Sequence, residues 1–221
     1  MVYAFAVATI LITLAELGDK TQLLALGLAT KYKAWQVLVG IFIATLAIHL
    51  FSTLAGGLIG NLIPETWLRL ASGVLFVGFG VWTLRGDGDQ DAEKATAGAK
   101  YGAIVTTAIA FFLAELGDKT QIMTMTIAAD PSGVLRTFGS AGPAISTSLA
   151  SIGLDATALT PLRAFWGVWL GSTAGMMIAD GLAIIVGVVL GKTLPERLIT
   201  RISGIIFVLF GVFAIGAAFI R

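Results

Sequence analysis

Six long apolar segments alternate with polar connections along the chain, at 2–29, 36–59, 67–84, 101–129, 162–190 and 199–220. Crossing a bilayer as a helix takes about 20 apolar residues. The pattern therefore predicts an all-α integral membrane protein with six transmembrane helices. The first, fourth and fifth segments are longer than a bilayer requires, which predicts a tilt, a kink or a break. Gly18 and Gly117 are the expected break points in the first and fourth.

Composition narrows the function classes. Of the 221 residues, 57% are hydrophobic and 12% are charged, and soluble domains carry about twice that share of charge. The net charge of +1 offers no nucleic-acid-binding surface. The lack of cysteine excludes disulfides, zinc–thiolate sites and iron–sulfur clusters, and the single histidine excludes a multi-histidine metal site within one chain. The N-terminus has no basic region, so no cleavable signal peptide is expected.

The string AELGDKTQ occurs twice, at 15–22 in the first segment and at 114–121 in the fourth. Burying a carboxylate in a hydrocarbon environment costs free energy, so carboxylates that occur there usually serve a function. Further residues recur at a spacing of 131, such as Gly40 and Gly171, whereas Glu16 and Glu115 are 99 apart. The difference indicates a 32-residue insertion in the second half, which 130–161 can hold.

The duplication predicts two three-helix repeats, 1–84 and 101–221, joined by the charged linker 85–100. Three helices are an odd number, so the second repeat must run through the membrane in the opposite direction. Such inverted-topology repeats are found in many secondary transporters.

Basic residues in the connections predict the orientation, because cytoplasmic connections are enriched in Lys and Arg. One side holds eight and the other four. The richer side includes the linker 85–100 and should be cytoplasmic. Both termini and the loop 130–161 should then be non-cytoplasmic, in a membrane we take to be the bacterial inner membrane.

The motifs predict a divalent-cation site at mid-membrane. If each motif is helical, Glu16, Asp19 and Lys20 share one face. The two faces can meet across a pseudo-two-fold axis, where four carboxylates and two ammonium groups leave two negative charges. Carboxylates with hydroxyl and amide oxygens suit Ca²⁺, Mn²⁺ or Mg²⁺, and protons compete for the same oxygens. The predicted ligands are Glu16, Asp19, Gln22, Glu115, Asp118 and Gln121, with Thr21 and Thr120 as possible additions.

Three alternatives concern individual residues. Glu16–Lys20 and Glu115–Lys119 could be ion pairs that only lock helix packing, although we expect Lys20 and Lys119 to pair with the aspartates. His49 and Asp180 occupy equivalent mid-helix positions in the two halves. His49 could simply hydrogen-bond a neighbouring helix, whereas Asp180 is better explained as a further ligand or a proton carrier.

Both motifs match in full the Glu-x-Gly-Asp-(Lys/Arg)-(Thr/Ser) signature, at 16–21 and 115–120. The chain thus resembles the GDT-type cation/proton exchangers, a family that includes Golgi calcium/manganese exchangers and bacterial manganese exporters. The resemblance covers nearly the whole chain. It implies a six-helix inverted-repeat antiporter, not an enzyme, that exchanges Ca²⁺ or Mn²⁺ for protons. It also implies binding roles for Glu16, Asp19, Glu115 and Asp118. The metal is then substrate, and no cofactor is expected.

Other functions remain open on the residues alone. An exporter of amino acids or small organic ions would need a roomy cavity and a helix N-terminus near the motifs. An intramembrane lipid-phosphate hydrolase would need Arg or Lys clamps, and no Arg accompanies either motif. A membrane scaffold would not need carboxylates at mid-membrane. Mn²⁺ or Ca²⁺ preference, stoichiometry, oligomeric state and the role of 130–161 do not follow from the sequence.

Overall fold

The computed structural model describes residues 1–62, 102–133 and 159–190 continuously, with single residues and short runs at 67–84, 147–153 and 201–216. The structure does not describe the side chains of Lys20, Leu23, Asn61 and 188–190. All regular secondary structure in this part of the chain is helical, which confirms the all-α part of the predicted fold class. The linker 85–100, most of the loop 130–161, and much of the third and sixth predicted segments lie outside the described residues.

Six helices lie within the continuously described residues. They are α1 (Val2–Glu16), α2 (Lys20–Lys31), α3 (Ala34–Leu62), α4 (Ala103–Glu115), α5 (Lys119–Ala129) and α6 (Pro161–Leu190). Within α3 and α6, Ala34–Gly60 and Pro161–Gly187 are each long and apolar enough to cross a membrane. The described helices α1 and α4 are apolar but shorter, because the first and fourth segments are each divided in two.

The expected breaks at Gly18 and Gly117 are confirmed. Their φ angles are +80° and +84°, a left-handed conformation that glycine adopts without the steric penalty of a Cβ. Each break ends one helix at the motif glutamate and starts the next at the motif lysine. The prediction that Glu16, Asp19 and Lys20 share one helical face is therefore wrong, because no single helix contains them. The fifth segment, in contrast, forms the single helix α6.

The two halves of the chain interlock through their long helices. The first helix, α1, packs most extensively against α6, and α3 packs against both α4 and α5. At Gly171, a Cβ would collide with the backbone of Phe5, so glycine permits the α1–α6 approach. The hydroxyls of Thr9 and Thr13 donate to the carbonyls of Gly171 and Gly175, both at 3.1 Å. Each half therefore packs its first helix on the long helix of the other half.

Two apolar clusters flank the middle of α6. One joins α1, α5 and the first part of α6 and includes Met176. The other joins α2, α3, α4 and the later part of α6 and includes Ile184. Asp180 is fully buried and lies about one helical turn from each. An ionisable side chain is thus held between two apolar clusters.

Candidate cation-binding site

The first motif folds into a tight turn stabilised by its own side chains. Because α1 ends at Glu16, the amide of Asp19 donates to the Glu16 carbonyl at 3.1 Å. The amide of Gly18 donates to Oε1 of Gln22 at 2.9 Å. The hydroxyl of Thr21 donates to Oε1 of Glu16. These bonds orient the Glu16 and Asp19 carboxylates at the break between α1 and α2.

The second motif repeats the turn almost bond for bond. The amide of Asp118 donates to the Glu115 carbonyl at 3.1 Å, and the amide of Gly117 donates to Oε1 of Gln121 at 2.9 Å. The hydroxyl of Thr120 donates to Oε2 of Glu115 at 3.0 Å. Identical sequences therefore give the same local geometry in the two halves.

Three carboxylates from the two motifs converge. One oxygen each from Glu16, Asp19 and Asp118 lies within 4.8 Å of the others, and all three residues are buried. Oxygens bound to a common Ca²⁺ at 2.3–2.6 Å from the ion are separated by roughly 5 Å at most. The spacing thus suits oxygen ligation of one hard cation.

Lys119 crosses from the second half to the first. Its Nζ forms an ion pair with Oδ2 of Asp19, and both side chains are nearly inaccessible. The partner of Lys119 is thus an aspartate, and it belongs to the opposite motif. The side chain of Lys20 lies outside the described residues, so its predicted pairing stays a prediction.

Glu115 and Asp180 enlarge the negative cluster without joining the three-carboxylate group. Both are 0% exposed. The carboxylate of Glu115 is close enough to those of Glu16, Asp19 and Asp118 for electrostatic repulsion between them. The carboxylate of Asp180 is close enough to that of Asp19 for the same effect. Within the described part of the chain, Oε1 of Glu115 and both carboxylate oxygens of Asp180 have no hydrogen-bond partner. Buried oxygens of this kind are available to a ligand.

The predicted amide and hydroxyl ligands are instead used within the protein. Oε1 of Gln22 accepts from Gly18, and its Nε2 donates to the carbonyl of Ala179 at 3.1 Å, next to Asp180. Gln121 accepts from Gly117 in the same way. Thr21 and Thr120 each donate to a motif glutamate. These four residues support the turns, and their role as ligands stays a prediction.

His49 lies on α3 and is fully buried beside α6. Its Nδ1 is 3.4 Å from the hydroxyl oxygen of Thr173, whose proton is directed to the carbonyl of Trp169 at 2.9 Å. Nε2 of His49 has no hydrogen-bond partner among the described residues. The packing interpretation accounts for Nδ1 and leaves Nε2 unexplained.

Sequence reasoning missed the Gln22–Ala179 bond and the Asp19–Lys119 pair across the halves. The identity of the two motifs could have suggested that they face each other, but nothing in the spacing selects Asp19 as the partner of Lys119. The pairing of Asp19 with Lys119 depends on the directions in which α2 and α5 continue from the two turns. It is a property of tertiary packing.

Known proteins are similar to this sequence over nearly its whole length. The profile of the family described as "Divalent cation/proton antiporter GDT1" matches residues 4–91, 103–157 and 147–220. A Vibrio cholerae serotype O1 protein provisionally named a manganese exporter is 30% identical over 92% of this chain and 86% of its own length. The "GDT1-like protein sll0615" of Synechocystis is 29% identical over 96% of both chains. "GDT1-like protein 5" of Arabidopsis thaliana is 27% identical over 90% of this chain and 89% of its own length.

No solved structure shows a significant match to the chain. The family profile covers nearly all of the sequence, including both copies of the motif whose turns and carboxylates are described above. The chain therefore belongs to the GDT1 family of divalent cation/proton antiporters.

Proposed function

We propose that this protein exchanges Mn²⁺ or Ca²⁺ for protons across a membrane, and that the cation binds between the two ELGDKT motifs. The observation that carries the proposal is the convergence of Glu16, Asp19 and Asp118 within 4.8 Å. Glu115 and Asp180 add negative charge beside them. An oxygen-only set of this kind favours a hard divalent cation, and protons compete for the same carboxylates.

Exchange follows from the electrostatics of a buried cluster. Several carboxylates in a poorly solvated site cannot all remain ionised without compensating cations, because Coulomb repulsion there greatly exceeds its value in water. Lys119 compensates one of these charges, and either a divalent ion or protons can supply the rest. Binding of one therefore releases the other, which couples the two flows.

The test is flux in proteoliposomes containing the purified protein. An imposed pH gradient should drive uptake of Mn²⁺ or Ca²⁺, and cation uptake should in turn move protons in the opposite direction. Protein-free liposomes are the control. Cation uptake that is unaffected by the gradient, with no linked proton movement, would exclude exchange.

We further propose that 1–84 and 101–221 are inverted repeats with both termini non-cytoplasmic, in the bacterial inner membrane. The reciprocal packing of α1 on α6 and of α4 on α3 supports this arrangement. So do the matching turns of the two motifs, since equivalent elements in opposed halves are expected to make equivalent contacts.

The orientation is tested by labelling. Asp89 in the linker should face the cytoplasm and Ser140 in the loop 130–161 should face away from it, on the count of basic residues. In the naturally cysteine-free chain, Asp89→Cys and Ser140→Cys should react with an impermeant thiol reagent from opposite sides of the cell membrane. Labelling of both from the same side would contradict the inverted repeat.

Asp180 should matter more than His49. Asp180→Asn removes a buried charge beside Asp19, whereas His49→Gln removes a ring whose described polar contact is a hydroxyl. We expect Asp180→Asn to reduce flux at least tenfold and His49→Gln to reduce it a few-fold. Flux and equilibrium cation binding should be measured together for each variant. Near-normal values for Asp180→Asn would leave this residue with a packing role.

A further inference from the structure

A cavity of about 460 Å³ opens where the ends of α3, α5 and α6 meet. Its lining is mixed: Thr53, Ser132 and Thr160 bear hydroxyl groups, and most of the other lining residues are apolar, among them Leu54, Leu159 and Phe165. By the orientation argued above, this end of the helices is non-cytoplasmic. Liquid water takes about 30 Å³ per molecule, so the cavity has room for roughly 15 waters, or for a cation with a shell of six.

The ends of the helices favour a cation in this cavity. Ala128 and Ala129 are the last residues of α5, and Gly60 is two residues from the end of α3. The carbonyls of two helix C-termini carry negative partial charge, against one N-terminus from α6. Three hydroxyl-bearing residues, Thr53, Ser132 and Thr160, add oxygen atoms to the lining.

A strip of buried polar residues continues from the cavity into the protein. We name it the polar seam; its members are His49, Thr53, Thr120, Thr124, Ser172 and Thr173, each at most 3% exposed. The hydroxyl of Thr124 donates to that of Ser172 at 3.2 Å, and Thr173 lies beside His49. The seam therefore runs along the shared interface of α3, α5 and α6.

The seam reaches the carboxylates at its other end. Thr120 donates to Glu115, Thr124 is one helical turn further along α5, and Ala128, one turn further again, lines the cavity. Eight residues of helix span about 12 Å. On α3, His49 and Thr53 are likewise one turn apart, and Thr53 itself lines the cavity.

Helix packing alone does not account for the seam. Serine and threonine often join membrane helices by hydrogen bonds, and the Thr124–Ser172 bond fits that role. Within the described part of the chain, however, Oγ1 of Thr53 and Nε2 of His49 are buried with no hydrogen-bond partner. Buried polar atoms that lack a protein partner are normally satisfied by water.

We propose that the cavity is a vestibule for a hydrated divalent cation and that the polar seam is the route between it and the carboxylate site. This inference rests on the proposed transport function. It assigns a second, weaker site, in which the cation keeps much of its water, on the non-cytoplasmic side of the first. Thr53 lies at the junction of cavity and seam, so its hydroxyl should affect passage and not the final affinity.

Thiol accessibility tests the route without any transport measurement. The chain contains no cysteine, so Thr53→Cys and Ser172→Cys each carry a single thiol. In lipid nanodiscs, a cationic methanethiosulfonate reagent should modify both at least tenfold faster than two controls. These are Phe51→Cys, from an exposed apolar position on α3, and Ala25→Cys, from a buried apolar cluster. Rates for Thr53→Cys and Ser172→Cys that match the controls would overturn the proposal.

A second pair of variants covers the case in which a cysteine variant fails to fold. Thr53→Val keeps the shape and removes the hydroxyl, whereas Thr53→Ser keeps the hydroxyl. We expect Thr53→Val to lower Mn²⁺ flux at least threefold with unchanged Mn²⁺ affinity, and Thr53→Ser to behave like the wild type. Normal flux in Thr53→Val, or a parallel loss of affinity, would overturn the route. Fast thiol labelling with no wild-type flux of either cation would instead reject the proposed function and retain the water-filled seam.

Discussion

Replacing Glu16 by Gln is expected to abolish most cation–proton exchange, with at least a tenfold loss of flux and of cation affinity. The substitution keeps the side-chain shape and one carbonyl oxygen but removes a charge from the group formed with Asp19 and Asp118. Oε2 of Glu16 has no hydrogen-bond partner among the described residues, so it is available as a ligand atom. In a poorly solvated site, one missing charge weakens cation binding far more than it would in water.

Glu115→Gln should reduce flux to a similar extent but reduce equilibrium affinity less. Glu115 is buried near the group without being one of its three members. Mn²⁺ and Ca²⁺ binding and pH-driven flux should be measured for both variants, with expression and monodispersity as checks. Glu65→Gln makes the same chemical change in a predicted connection and is the matched control. Wild-type binding and flux in Glu16→Gln would remove this residue from the site.

Lys119→Met should have the next largest effect, on stability as well as transport. It leaves the buried carboxylate of Asp19 without the ammonium group that now pairs with it. Removing one member of a buried ion pair costs about 3–5 kcal/mol, because the remaining charge is uncompensated. We therefore expect a lower Tm in metal-free buffer and at least a tenfold loss of exchange.

A divalent cation should partly reverse the instability of Lys119→Met. The cation would supply positive charge to the same carboxylates, so saturating Mn²⁺ should raise the Tm of the variant more than that of the wild type. Lys119→Arg, which keeps the charge, and Lys31→Met, at an exposed position, are the controls. Equal Mn²⁺-induced shifts in the variant and the wild type would show that Lys119 does not share its carboxylates with the cation.

The elements of the fold that sequence could predict are those encoded locally. The apolar segments predict helices, and the two glycines predict breaks, because a left-handed turn is a property of the residue itself. Within the described residues, the structure confirms the helices and both breaks.

The elements that sequence could not predict depend on tertiary packing. The assumption of a continuous helix through Glu16 and Lys20 gave the wrong geometry, although three of the four predicted motif carboxylates do converge. Their convergence arises from the turn at Gly18 and from the position of α2 relative to α5. The ion pair of Asp19 with Lys119 joins residues 100 positions apart, and no local pattern specifies that distance.

The packing of α1 on α6 also sets a constraint on biosynthesis. Pro161, the first residue of α6, follows Glu16 by 145 residues. At about 5–20 residues per second, a ribosome needs roughly 7–30 s to make the intervening chain. Until then, the helix that carries Glu16 lacks its main packing partner. During this time, the nascent first half contains a glutamate in an apolar segment that is not yet packed against α6. An insertase or chaperone that shields this helix would therefore raise the yield of folded protein.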